Sequence, residues 1–187
     1  VFLVSMPFFM LSLLLPVQGK EIGASVVEMC LFYSAFSLMT VILRPLVGLG
    51  LDRFGRRPFF VAGVLGYAVA MVSFAFSDRV WQMVTARILQ GVASSLLWLS
   101  ASAITADVAS ERGRGGAFGG IAQASSRGSM VGAFLGFVLL HARLSIGGRS
   151  LELGSWALPF VVYAAINLLS LLLALRRLPE TLIYDPN

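Results

Sequence analysis

Along the 187 residues, apolar stretches of membrane-spanning length alternate with short polar breaks. Hydrocarbon offers no partner to a free N–H or C=O, so a crossing segment must be a helix of about 20 mostly apolar residues. The pattern predicts six such helices. The first ends near Val17, after Pro16, and the others run over about 25–46, 58–76, 80–105, 115–140 and 156–175. An all-α membrane protein is therefore expected. The opening run starts at Val1 with no basic segment before it and no small-residue cleavage site after it, which reads as a truncated first helix rather than a signal peptide.

Composition agrees with lipid as the solvent. Hydrophobic residues make up 58% of the chain and charged residues 12%, whereas about a quarter of residues are charged in soluble proteins. Mean hydropathy is +0.87. The net charge of +5 suits anionic lipid headgroups, not nucleic acid, because Lys20 is the only lysine and no basic cluster lies on a folded polar face. Cys30, the single cysteine, falls inside an apolar run without a disulfide or metal partner and reads as packing.

Basic residues also set the orientation. One set of alternate loops holds Arg53, Arg56, Arg57, Arg112, Arg114, Arg176 and Arg177; the other holds Lys20, Arg79, Arg143 and Arg149. Positive loops stay in the cytoplasm, which predicts a multi-pass protein of the plasma (inner) membrane with both termini and the 48–57 segment cytoplasmic. That segment carries Gly48, Asp52, Arg53, Gly55, Arg56 and Arg57 in the spacing Gly-x-x-x-Asp-Arg-x-Gly-Arg-Arg. A connection this short must turn sharply, and Gly48 and Gly55 allow backbone angles that a Cβ would block. A carboxylate flanked by three guanidinium groups at the bilayer edge forms charge-assisted hydrogen bonds, stronger where water is scarce. Asp107, Arg112 and Glu180 are expected on the same surface. Together these groups predict a latch that closes the inner mouth in one state and parts in the other; the alternative is that the charges only set topology.

In its place between the second and third spans, this spacing resembles the signature of the major facilitator superfamily. Arg87, Gln90 and Gly91 are similar to that family's Arg-x-x-Gln-Gly element in the fourth helix. Asp107 with residues 112–115 matches the loop that follows it, and Pro179-Glu180-Thr181 resembles the motif after the sixth helix. The resemblance covers nearly the whole chain. It implies a twelve-helix carrier built of two six-helix halves, each a pair of three-helix inverted repeats. This chain would be the N-terminal half, with residues 1–178 as the bundle and 179–187 as the start of a cytoplasmic linker. The implied partners are a C-terminal half, the lipid bilayer, a small organic solute and protons, and the implied activity is secondary transport by alternating access. Spacing around Pro16, Gly23 and residues 44–57 resembles efflux members, which favours export, including proton antiport, over sugar uptake. The fifth helix lacks the Gly-Pro pair found in some drug exporters.

Polar residues inside the spans are the second source of function. In the fourth helix Arg87, Gln90, Gly91, Ser94, Ser95, Trp98 and Ser102 recur at steps of three and four and so form one stripe. A guanidinium at this depth costs at least about 2.5 kcal/mol and by default faces a cavity. Arg87, Gln90, Ser94 and Trp98, with Gln123 and Arg127 on the fifth helix, are therefore expected to line a solute cavity; a structural hydrogen bond to a neighbouring helix is the alternative for Arg87. Gly116, Gly120, Ala124, Gly128, Gly132 and Gly136 place a small residue at every fourth position of the fifth helix, a packing stripe. Glu28 is the only acid within the spans and reads as interfacial, so proton coupling rests on an acid in the other half, or transport is facilitated diffusion.

Other classes fit poorly. The only histidine, His141, stands twelve residues from Ser129 on one helix, about 18 Å away, which excludes a serine protease pair. Clustered metal ligands and a phosphate-binding loop are both missing from the sequence. Neither catalysis nor a metal or cofactor is expected. The remaining alternative is a six-helix protein that dimerises as a channel or scaffold.

Overall fold

The computed structural model describes residues 1–141, 145–146, 149–150 and 156–181. Six helices follow one another: α1 (Phe2–Glu21), α2 (Val26–Phe54), α3 (Arg56–Ala75), α4 (Val80–Val108), α5 (Arg114–His141) and α6 (Ala157–Arg177). Between α5 and α6, β1 (Ser145–Ile146) pairs antiparallel with β2 (Arg149–Ser150). The expectations for Arg143 and for residues 182–187 lie outside the described residues, as do the side chains of His141 and Arg149.

Two expected boundaries are corrected. α1 runs through Pro16 to Glu21 instead of ending near Val17, with Pro7 and Pro16 both inside it. α2 continues past Leu46 and through Pro45 to Phe54, so the expected 48–57 loop is nearly all helix. Gly55 alone separates α2 from α3. The start of α2 is fixed by a reciprocal cap: the Glu28 backbone N–H donates to Ser25 Oγ, and the Ser25 backbone N–H donates to Glu28 Oε2 at 2.7 Å. Two donors that the helix start leaves open are thereby satisfied, and Glu28 is a capping residue.

α1, α2, α3, α4 and α6 are long and apolar enough to cross a membrane. α5 is long enough at 28 residues but is not among them; glycine, serine and arginine dilute its first half. α1 packs along α5, α4 along both α2 and α3, and α3 along α6. Exchanging α1–α3 with α4–α6 converts the α1/α5 pair into α4/α2 and returns α3/α6 to itself. Both exchanges are expected of two three-helix repeats in inverted topology, while the extensive α3/α4 contact has only a slight counterpart in α1/α6.

Buried side chains on α1, α3, α4 and α6, among them Leu15, Tyr67, Met71, Met83 and Phe160, form the core. Close helix contacts rely on glycine. A Cβ at Gly63 would lie 2.6 Å from the Leu97 backbone nitrogen, and one at Gly128 or Gly132 would strike the carbonyl of Phe2 or Met6. The small-residue stripe of α5 therefore packs on α1, but only over its second half. Gly120, expected to belong to the contact, has nothing within 4 Å of its Cβ position, and neither has Gly116. In the parallel register of 128 with 2 and 132 with 6, the α1 position opposite Gly120 would precede Val1.

Gly132→Leu is expected to prevent recovery of folded full-length protein, because a well-packed contact yields only at a cost of about 1–3 kcal/mol or more. Size-exclusion profiles of the full-length protein in detergent check this.

Candidate functional site

At the end of the bundle that holds the α2–α3 turn, four helix ends meet. Gly55 has φ of 93°, a left-handed conformation that glycine adopts without steric cost. Its missing side chain also makes room for Glu180, whose Oε2 would lie 2.6 Å from a Cβ at this position. The carboxylate accepts from the backbone N–H groups of Arg56 at 2.8 Å and Arg57 at 3.1 Å. Those are two of the donors left open at the start of α3, where a negative charge is also favoured by the helix dipole. Pro58, next in line, has no N–H to satisfy.

Arg56 is the hub. Its Nε donates to Asp107 Oδ2 at 3.1 Å, its Nη1 to the Leu51 carbonyl at 2.9 Å, and its Nη2 pairs with Asp52 at 3.4 Å. Thr181 Oγ1 donates to the same oxygen of Asp107 at 2.9 Å. Arg57 Nη2 donates to the Leu175 carbonyl at 2.7 Å near the end of α6. The α2–α3 turn, the end of α4 and the end of α6 are thus bound into one network, and both three-helix repeats contribute to it. The Arg56 side chain is 14% exposed, that of Asp52 77%.

Three residues expected in this network stand outside it. Arg53 lies over the ring of its neighbour Phe54, 5.4 Å from the centroid. Arg112 is exposed and makes no ion pair among the described residues. Gly48 is within α2, with open space where a Cβ would be, and takes no part in the turn. Thr181, which the sequence offers only as the last residue of the motif after α6, is a member of the network.

The stripe on α4 separates into buried and open parts. Arg87, Gln90 and Ser94, expected to line a cavity, are buried against neighbouring helices of this chain. Arg87 Nη1 donates to Gln90 Oε1 at 2.8 Å. Its guanidinium carbon lies 5.1 Å from the Tyr33 ring centroid and 5.6 Å from that of Phe36, both on α2. Gly91 allows the α2 backbone at Phe36 to come close. Tyr67 of α3 faces Ser94 and Trp98; Trp98 is half-buried and Ser102 exposed. Gln123 and Arg127 are exposed on the face of α5 opposite α1 and do not meet Arg87. A cavity of about 320 Å³ lies at the network end between α1, α3 and α6, lined by Phe2, Phe60, Leu173 and Arg177 and by none of the stripe residues. Ser129 is buried and donates to the Ser5 carbonyl at 3.1 Å, a tie between α5 and α1.

The profile of the Major Facilitator Superfamily matches residues 1–186. This chain belongs to that family. It is 28% identical over 178 residues to multidrug resistance protein 1 of Bacillus subtilis, a match covering 92% of this chain and 42% of that protein. Over 146 residues it is 34% identical to the class E tetracycline resistance protein of Escherichia coli, covering 78% and 33% respectively. Over 143 residues it is 32% identical to a triacylglyceride transporter of Mycobacteroides abscessus, covering 76% and 26%. The chain thus spans less than half the length of these relatives. Family membership and the apolar helices make it an integral, multi-pass membrane protein.

Within this superfamily chain, Arg56→Ala should cost about 2 kcal/mol of stability, since it strips hydrogen bonds from a charged, mostly buried donor. Asp52→Asn should cost about 0.5 kcal/mol or less, as expected of an exposed pair. Thermal melts of the full-length protein followed by tryptophan fluorescence distinguish the two; equal losses would make Asp52 part of the hub.

Proposed function

We propose that the chain is one six-helix half of a secondary transporter that moves a small organic solute through the plasma membrane by alternating access, with export the favoured direction. The observation that carries this reading is the division of labour at the α2–α3 turn. Arg56 is spent within the half, whereas Asp52 is held by one long pair and stays mostly free. A free carboxylate at a helix end can meet a donor from a second six-helix half in one arrangement and release it in the other, as a latch requires. The excess of arginine at this end supports a cytoplasmic position for it and for both termini. Residues 1–178 then serve as the transporting bundle, and 179–187 open the linker to the second half.

Export is supported by relatives named for multidrug and tetracycline resistance. Glu28, as a helix cap, is ill suited to proton coupling, so a proton-driven cycle draws its acid from the second half. Of the residues expected to line a solute cavity, Trp98, Gln123 and Arg127 are left open to a solute or to that half.

The test is flux of ethidium or tetracycline by the full-length protein in proteoliposomes under an imposed pH gradient. Asp52→Asn should insert normally and lose about tenfold in flux, a coupling of the size expected when a contact formed in only one state is removed. Near-normal flux would contradict the latch.

A further inference from the structure

Pro16 carries no N–H, so the carbonyl of Ser12, four residues earlier on α1, lacks its helical donor. The Tyr33 hydroxyl of α2 donates to that carbonyl at 3.1 Å. The same Tyr33 ring lies against the Arg87 guanidinium of α4. Arg87 is 5% exposed, its Nε has no hydrogen-bond partner, and no carboxylate pairs with it among the described residues. A buried cation without a counter-charge takes its position from the rings and the one amide around it. Phe36 is fixed by close packing of the α2 backbone on Gly91. Tyr33, 38% exposed, owes its place to its hydroxyl.

Resting on the transport reading above, we propose that Tyr33 is a positioning residue for transport: it links the proline site of α1 to the Arg87 charge on α4. The link joins the first three-helix repeat to the second at the end of the bundle away from the arginine network. Arg87 lies seven residues past the start of α4, about 10 Å along the helix. Movement of α1 during transport is carried through one hydroxyl and one aromatic ring to the guanidinium.

Three full-length variants test this: Tyr33→Phe, Pro16→Ala and the two combined. Tyr33→Phe keeps the ring over Arg87 and removes the anchor. Pro16→Ala returns an N–H to the Ser12 carbonyl. Tyr33→Phe should lower the melting temperature, because one carbonyl loses its donor, and should reduce ethidium or tetracycline flux in proteoliposomes about fivefold, the weight of one hydrogen bond. The combined variant satisfies the carbonyl again, so its melting temperature should return to that of Pro16→Ala while flux stays low. A Tyr33→Phe protein with wild-type flux overturns the proposal. So does recovery of flux together with stability in the combined variant, which would leave the hydroxyl as a mere satisfier of Ser12. If wild-type protein moves neither probe, the transport reading falls and the proposal with it, and the melting series still reports whether the hydrogen bond exists.

Discussion

A helix in hydrocarbon satisfies its own backbone except at its ends and wherever a proline removes a donor, and this bundle is tied together at those exceptions. Glu180 fills the open N–H groups at the start of α3. Arg56 and Arg57 take up the Leu51 and Leu175 carbonyls near the ends of α2 and α6. The indole N–H of Trp156 donates to the Phe74 carbonyl at 2.8 Å near the end of α3, and Tyr33 reaches the carbonyl that Pro16 strands on α1. Each of these ties comes from a side chain of another helix or turn. Within lipid there is little hydrophobic drive between helices, so these polar ties and close glycine contacts do much of the work of association.

Placement of the ties explains which parts are rigid. The network at the α2–α3 turn spans both repeats and leaves Arg56 little freedom, because each of its nitrogens has an acceptor. Moving α2 relative to α4 or α6 at that end would break several charge-assisted bonds at once. Asp52, four residues before Arg56 across the Gly55 turn, is mostly exposed and is held by one long pair alone.

The number and order of helices were legible because apolar length is dictated by the bilayer, and the Asp-Arg-x-Gly-Arg-Arg spacing marked the site because a glycine, an acid and several arginines are rarely affordable there together. Boundaries were less legible. Gly48 and Gly50 look like turn residues in a row, yet the helix runs through them; Phe59 lies where a Cβ of Gly50 would go, at 2.5 Å. The stripe on α4 announced that it must face protein or water, but periodicity gives a face and not the neighbour opposite it. That neighbour proved to be α2 for Arg87 and α3 for Ser94. Glu28 was readable in principle, since Ser25 three residues ahead of an acid is a capping signature. Tyr33 was not: Pro16 shows that the Ser12 carbonyl needs a donor, and only the packing of α2 on α1 names it.

α5 carries the same lesson to a surface. Gly128 and Gly132 face α1 and let it approach to backbone contact, and Gly136 makes room for the Met10 side chain, whereas Gln123, Arg127 and Phe134 follow one another at helical spacing on the opposite face, which nothing among the described residues covers. An amide and a cation in mid-helix do not suit a face that meets only lipid acyl chains, because both would lack partners there. A protein neighbour or a water-filled passage meets both needs. α5 therefore has one face committed to α1 and one that the described residues leave open, and Arg127, standing apart from Arg87, belongs to the second.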